Sequence, residues 1–184
     1  MKTNKTLTVC GILLMAAITA ATTYGQVIEN RKSLKGLAGV GIWIKADQDE
    51  LKQVNLSLNQ LSTDSTLRLR KAGIRILETK DEQLAVKGWP HLTIDVSTMK
   101  SEGKLWVFHV TVTVSEWVFL ARNSTESLYL TTWNNTGVLG LAEESDMQDT
   151  VRKALADAVD KFIDDYLAAN PPKTPIRNQV SQIY

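Results

Sequence analysis

The chain of 184 residues contains a single cysteine, Cys10. A disulfide within the chain is therefore excluded, and so is a metal site built on several thiolates. Cys10 lies in an N-terminal segment that we predict to be removed, which would leave no cysteine nucleophile in the mature chain. Small exported domains often depend on disulfides for stability, so this chain must depend on a hydrophobic core.

An excess of charge of either sign is also lacking, since 21 Lys and Arg residues stand against 20 Asp and Glu residues. A near-neutral protein has no electrostatic attraction for nucleic acid or for an anionic membrane surface. The two histidines have no nearby cluster of carboxylates, so they make a weak case for a metal site. We predict no nucleic-acid partner, no metal and no cofactor.

Residues 1–25 have the pattern of a secretory signal peptide. Two lysines precede an apolar run at 7–21, and the small residues Thr23 and Gly25 precede a cleavage site at Gln26. The apolar run is short and interrupted for a stable transmembrane helix. We predict a secreted or periplasmic mature protein without a membrane span. An uncleaved anchor and a lipid attached to the cysteine are the alternatives.

Two amphipathic helices and several strands are predicted in the rest of the chain. Apolar residues recur at helical spacing after Ser57 and after Ser145, and each serine is followed three residues later by glutamine, as in a capping box. Alternation of apolar and polar residues predicts strands at 40–44, 74–77, 92–97, 106–114 and 128–133. The alternation breaks at Ser115-Glu116, which predicts a bulge or bend.

The order of these elements, β-α-β-β-β-β-α, predicts an α+β fold. Each helix has one apolar face to bury, and one face of a mixed, mostly antiparallel sheet can cover both. We expect a two-layer sandwich with both helices on the same face of the sheet. We expect this single domain to span 26–170 and a flexible tail to follow at 171–184.

Two segments resemble a family of exported bacterial α/β proteins to which no activity has been assigned. They are Leu67-Arg68-Leu69-Arg70-Lys71-Ala72-Gly73-Ile74 before a strand, and Phe162-Ile163-Asp164-Asp165-Tyr166-Leu167 before Asn170-Pro171. The order of elements is also similar to that of the N-terminal domain of TolB and related envelope-assembly modules. The resemblance implies an exported α/β fold and no site residue.

The sheet face opposite the helices is the candidate binding surface. Strand alternation places Trp43, His109, Tyr129 and Trp133 on this face, among threonine, serine and charged residues. Aromatic side chains on an uncovered face can anchor a partner. The alternative is that these rings pack beneath loops or at the sheet edge.

Other polar residues have simpler interpretations. His109 could join Asp95 and Ser97 of a neighbouring strand in a hydrolytic triad, but a flat sheet face offers no shielded pocket or oxyanion hole. His91, after Pro90, is interpreted as structural. The last helix carries several acidic residues that we assign to its solvated face: Asp157, Asp160, Asp164 and Asp165.

These observations predict an exported, non-enzymatic binding or accessory module of the bacterial cell envelope. Its partner would be a protein or another envelope component. The alternative is a carrier of a small ligand or lipid in a cleft between sheet and helices, and a hydrolase is a distant third. No catalytic residue is assigned, and the oligomeric state is left open.

Overall fold

The computed structural model describes residues 30–101 and 103–171. Its strands are β1 (Gly41–Lys45), β2 (His91–Lys100), β3 (Leu105–Leu120), β4 (Asn123–Asn134) and β5 (Val138–Glu143). Its longer helices are α1 (Gln48–Gln53), α2 (Leu58–Lys71), α3 (Lys80–Ala85) and α4 (Met147–Ala169). A helical turn at 30–33 precedes them. The predicted signal peptide, and all of the predicted tail but its first residue, lie outside the described residues.

The strands form one mixed sheet in which β3 is central. One edge of β3 pairs antiparallel with β2, and β1 then adds to β2 in parallel. Along the other edge of β3, the first half of the strand pairs with β5 and the second half with β4, both antiparallel. The predicted α+β class and mostly antiparallel sheet are confirmed. None of the described helices is long and apolar enough to cross a membrane.

The hydrophobic core lies between one face of this sheet and the helices α2 and α4, which also contact each other. The core side chains of β2 and β3 are alternate residues of each strand, as predicted: Leu92, Ile94, Val96, Trp106, Phe108, Val110, Val112 and Val114. The predicted apolar stripe of α2 is buried at Leu61 and Leu69. That of α4 is buried from Val151 to Phe162.

Helix starts follow the predicted capping signals only in part. The Ser57 hydroxyl accepts a hydrogen bond from the Gln60 amide, which confirms the predicted N-cap of α2. The Gln60 side chain accepts from the Ser57 hydroxyl and not from the Ser57 amide, so the full capping box is not formed. The second predicted capping box was wrong, since α4 begins after Asp146 without a side-chain cap and the Ser145 hydroxyl donates to the Asp146 carboxylate instead. A capping box that sequence analysis missed lies at Thr79, where it begins α3.

The predicted strand at 74–77 is reduced to a single parallel bridge between Val40 and Ile76. The extended segment is short because Thr79 already caps α3. The crossover from β1 therefore passes through α1, α2 and α3 before it reaches β2, with which β1 pairs in parallel. The helices α1 and α3 were not predicted.

Asp165 is buried, with 2% of its surface exposed, so its assignment to the solvated face of α4 was wrong. It lies three residues after Phe162, and therefore on the side of α4 that faces the core. Its carboxylate accepts hydrogen bonds from Arg31 Nε at 2.9 Å, Lys161 Nζ at 2.8 Å and Trp133 Nε1 at 3.2 Å. These donors compensate the cost of burying a charge, and Arg31 ties the helical turn at 30–33 to α4.

Stability should depend on the ionisation of Asp165. Burial on its own raises the pKa of this carboxyl, but hydrogen bonds from Lys161, Trp133 and Arg31 together hold the pKa below its ordinary value. A carboxyl with a lowered pKa in the folded state contributes stability above its unfolded pKa, about 3.9, and loses it as pH falls further. In urea melts, the unfolding free energy of Asp165→Asn should therefore fall less than that of the wild type when the pH is lowered from 7 to 3.

The matched control for this pH dependence is Asp164→Asn, at an exposed position of the same helix turn. It should keep the steep acid loss of the wild type, since Asp164 is not part of the carboxylate network. Identical pH profiles for Asp165→Asn and the wild type would contradict a stabilising role of the buried carboxylate.

Candidate functional site

The sheet face that points away from α2 and α4 carries several exposed large side chains. We call it the open face. Its members include Trp43 of β1, Met99 of β2, Trp117 of β3 and Leu139 of β5, all exposed. Exposed apolar side chains that lie together, with polar residues around them, are typical of interaction surfaces.

Five rings at one end of the open face contact one another, and we call them the aromatic cluster: Trp43, Trp89, His91, Trp117 and Tyr129. The His91 ring is central, with its centroid 4.9 Å from that of Trp89, 6.3 Å from Trp43 and 6.4 Å from Tyr129. Tyr129 in turn lies 5.6 Å from Trp117. The contacts are mostly edge-to-face, which is a favourable arrangement for aromatic pairs.

The strand register brings these rings together. His91 pairs with Gly41 of β1 on one side and with Ser115 of β3 on the other. Trp117 pairs with Tyr129 across β3 and β4. Gly41 leaves space for this arrangement, because a Cβ atom there would lie 3.0 Å from both the Gln83 amide and the His91 ring. A side chain at this position of β1 would require the Gln83 amide or the His91 ring to shift by a few tenths of an ångström.

Trp89 enters the cluster from a strained turn before β2. Its φ is +50°, in the left-handed region, where a bulky residue is an outlier that costs about 1–3 kcal/mol. The turn is held to β3 because the Trp117 amide donates to the Gly88 carbonyl at 2.7 Å. Residues kept in such strain cluster at functional sites, which supports a role for this end of the sheet.

Hydrogen bonds fix the central ring. His91 Nδ1 lies 3.1 Å from the Trp89 carbonyl oxygen and 3.0 Å from the Tyr129 hydroxyl, and Nε2 lies 3.3 Å from Gln83 Oε1. The Gln83 side chain is itself held, because its amide donates to the Leu77 carbonyl. The His91 and Tyr129 rings are thus positioned before any partner arrives.

Electrostatics keep the cluster uncharged at the tyrosine. Partial burial, and after it the negative charge of Glu116, raise the pKa of the Tyr129 hydroxyl. A tyrosine hydroxyl is already protonated at neutral pH, so this group can donate or accept a hydrogen bond there. Beside it, the hydroxyls of Ser115 and Thr131 lie 3.2 Å apart. The surface combines aromatic rings with neutral hydrogen-bonding groups.

Of the four predicted site residues, the structure brings Trp43 and Tyr129 together through His91. His109 is exposed on the same face but lies away from the cluster, between Ser97 of β2 and Leu139 of β5. It is therefore not a member of the cluster.

The placement of Trp133 was wrong, since this residue is buried in the core with 1% of its surface exposed. Its ring lies edge-on to Phe162 at 5.2 Å, and its N–H donates to Asp165. The reason is a bulge in β4: Val114 pairs with Trp133 and Ser115 with Thr131, so Thr132 has no partner. One extra residue reverses the alternation that follows it. The irregularity predicted at Ser115-Glu116 is found at Val114/Ser115, but the extra residue belongs to β4 and not to β3, which keeps its alternation through Trp117.

Three members of the aromatic cluster were not predicted: Trp89, His91 and Trp117. Trp117 carried a usable signal, since it continues the alternation of Thr111, Thr113 and Ser115. His91 stands at the first position of β2. Trp89 had no such signal, because its position depends on a left-handed turn that no local pattern indicates.

The hydrolytic alternative gains no geometric support. Ser97 and His109 pair across β2 and β3, and the Ser97 hydroxyl lies 3.5 Å from Asp95. In the described part of the chain, however, no hydrogen bond joins the His109 ring to Ser97 or Asp95. The connected relay that a triad needs is not assembled there.

The carrier alternative requires a cleft between sheet and helices, whereas a groove of about 600 Å³ lies between the two helices α2 and α4. Ion pairs bridge it, Arg68 with Asp160 at 2.7 Å and Arg152 with Asp64 at 2.8 Å. A lipid or small apolar ligand would have to displace these charges.

Comparison with models of known protein families finds no match for this chain, and comparison with curated proteins finds none either. The aromatic cluster is therefore interpreted from its geometry and chemistry alone. The resemblance to exported bacterial α/β proteins stays a prediction.

Proposed function

We propose that this protein is an exported, non-enzymatic binding module of the bacterial cell envelope and that the aromatic cluster is its binding surface. One observation carries the proposal. Trp43, Trp117 and Tyr129 expose 54%, 43% and 37% of their surfaces, while their contacts hold them in one connected group. Such exposure has no use in stabilising the fold, because burial is what stabilises aromatic side chains.

The order of the cluster favours binding energetically. Association costs free energy for every side chain that must be immobilised. Here hydrogen bonds already fix His91 and Tyr129, so association costs less free energy for ordering these two rings. Tryptophan and tyrosine are also the side chains that most often dominate binding energy at interfaces.

The proposed partner is a protein or another envelope component that presents both apolar and hydrogen-bonding groups. The rings would contact its apolar groups, and neutral hydroxyls beside them, such as those of Ser115 and Thr131, would bind its polar groups. The open face does not require a charged partner, which agrees with the near-neutral composition.

The test compares two double variants on the open face. Trp43→Ala/Trp117→Ala should weaken capture of the partner from native envelope by at least about tenfold, since truncating a binding hot spot costs about 2 kcal/mol or more. The matched control is Leu139→Ala/Leu141→Ala, which removes exposed apolar side chains of β5 on the same face. Capture by each tagged protein is measured together with its melting temperature.

Equal capture by both double variants would contradict the aromatic cluster as the binding surface. Loss of capture only in proportion to unfolding would assign the rings a structural role instead.

Export has its own test, N-terminal sequencing of the protein from its host. The expected first residue is Gln26, and an uncut chain or a lipid at Cys10 would contradict the predicted cleavage.

A further inference from the structure

The outer end of the β3–β4 hairpin extends beyond the neighbouring strands. β2 begins at His91, opposite Ser115, so residues of β3 after Ser115 have no strand on that side among the described residues. β4 pairs with β3 alone in the described part of the chain. Among the described residues, a hydrogen bond reaches this strand at Thr132, whose carbonyl accepts from the Ser33 hydroxyl at 2.7 Å. We call residues 116–131 the hairpin arm.

The hairpin arm exposes large apolar side chains on both of its faces. Trp117, Phe119 and Tyr129 point to the open face, while Leu128 and Leu130, exposed by 43% and 45%, point to the other. A free edge with apolar faces is prone to pair with another strand, and proteins usually protect such an edge with lysine or proline. The segment 123–132 contains neither.

We infer that two copies of this chain associate by antiparallel pairing of their β4 edges around a two-fold axis at Tyr129. The segment Ser127-Leu128-Tyr129-Leu130-Thr131 has the same pattern in both directions. In that register Leu128 lies opposite Leu130 of the partner subunit, and Ser127 lies opposite Thr131 of the partner subunit. A strand that matches itself when reversed is what an isologous interface requires.

Charge and polarity select this register over its neighbours. Glu126 is the only charged residue of 123–132, and the axis at Tyr129 places it opposite a threonine. Moving the axis to Leu128 or Ser127 would place Glu126 opposite a leucine. Cross-strand pairs of apolar side chains stabilise a sheet, so the pairing centred on Tyr129 is favoured.

The apolar area suits a weak, reversible dimer. Leu128, Tyr129 and Leu130 of two copies together expose on the order of 400 Å² of side-chain surface, taking about 150–250 Å² for a fully exposed large ring. Trp117 and Phe119 lie on β3, one strand inward from the paired edge, so they add little to this area. The total stays below the size of about 1,200 Å² at which specific, stable interfaces begin, so we expect a weak dimer.

The pairing would join two sheets edge to edge, with the open faces on the same side. Two aromatic clusters would then lie on one continuous surface. The inference does not depend on the proposed function, since the oligomeric state can be measured without a partner.

Sedimentation equilibrium of the purified protein is the first measurement. We expect a monomer–dimer equilibrium that Leu128→Glu/Leu130→Glu shifts to monomer, because glutamates then lie opposite each other across the axis. Leu128→Lys/Leu130→Glu should restore the dimer, since each lysine lies opposite a glutamate. The matched control, Leu139→Glu/Leu141→Glu, adds the same charge to more exposed leucines of β5 and should still dimerise.

Disulfide cross-linking tests the register without added charge. In a Cys10→Ser background, Ser127→Cys/Thr131→Cys should form a covalent dimer on oxidation, because antiparallel partners have Cα atoms about 4.5–5.5 Å apart, within disulfide range. The two cysteines of one chain lie about 13 Å apart along the strand and cannot join. Ser127→Cys alone should not cross-link.

A wild-type protein that stays monomeric at all concentrations would overturn the inference. So would a dimer that survives Leu128→Glu/Leu130→Glu, or one that is lost equally in the β5 control. A dimer that does not cross-link through the paired cysteines would show a different interface. Circular dichroism of each variant confirms folding, and the cross-link decides the question if the glutamate variant unfolds.

Discussion

Replacing Phe162 with alanine is expected to lower the free energy of unfolding by about 3–5 kcal/mol. Phe162 has no exposed surface and belongs to the hydrophobic core between α4 and the sheet. Its ring contacts Trp133 at 5.2 Å and Tyr166 at 6.1 Å between centroids. The cavity left by alanine would border both rings and could not close without moving α4. Urea denaturation monitored by circular dichroism measures the loss.

The control is Asp164→Ala, two residues further along the same helix but exposed. This substitution should change stability by no more than about 0.5 kcal/mol. A larger loss for Asp164→Ala than for Phe162→Ala would mean that α4 presents a different face to the sheet. The residues of α4 that pack in the hydrophobic core would then be different ones.

The helices were predictable because their signals are local. The apolar stripe of α4 repeats at helical spacing, and the same spacing identifies Leu61 and Leu69 of α2. The end of α2 was also predictable, since Gly73 takes the left-handed conformation, φ +78°, that ends a helix. Each of these features depends on residues within a few positions of one another.

The charge of Asp165 led to the wrong prediction that this residue lies on the solvated face of α4. Its spacing of three residues from Phe162 is nevertheless compatible with burial. The structure resolves the conflict with donors from two other segments, Arg31 and Trp133, and from Lys161 on the same helix. Neither remote donor can be identified from the sequence around Asp165, because sequence spacing carries no information on such contacts.

The candidate site was predictable as a face but not as a cluster. Alternation correctly placed Trp43 and Tyr129 on the open face, and the same rule would have found Trp117. It could not show that His91 connects them, because that contact depends on the pairing of β1, β2 and β3. Long-range register is set by the whole sheet, so local patterns do not determine it.

Replacing Trp133 with alanine is expected to cost about 3–5 kcal/mol of unfolding free energy, although simple alternation would place this residue on the open face. The indole is buried against Phe162, and its N–H donates to the buried carboxylate of Asp165. Both the cavity and the lost donor destabilise the fold. Tyr129→Ala, four residues earlier on the same strand, should cost only about 1 kcal/mol, since its side chain is partly exposed.

The variant Trp133→Phe separates the two contributions. It keeps most of the ring packing but removes the N–H, so the loss should fall to about 1–3 kcal/mol, the cost of depriving a buried charged group of one hydrogen bond. In urea melts, Trp133→Ala should therefore lose more unfolding free energy than either Trp133→Phe or Tyr129→Ala. If Tyr129→Ala proved as damaging as Trp133→Ala, the bulge at Thr132 would not reverse the strand. Trp133 would then belong to the open face with Tyr129, and the core would need another residue beside Phe162.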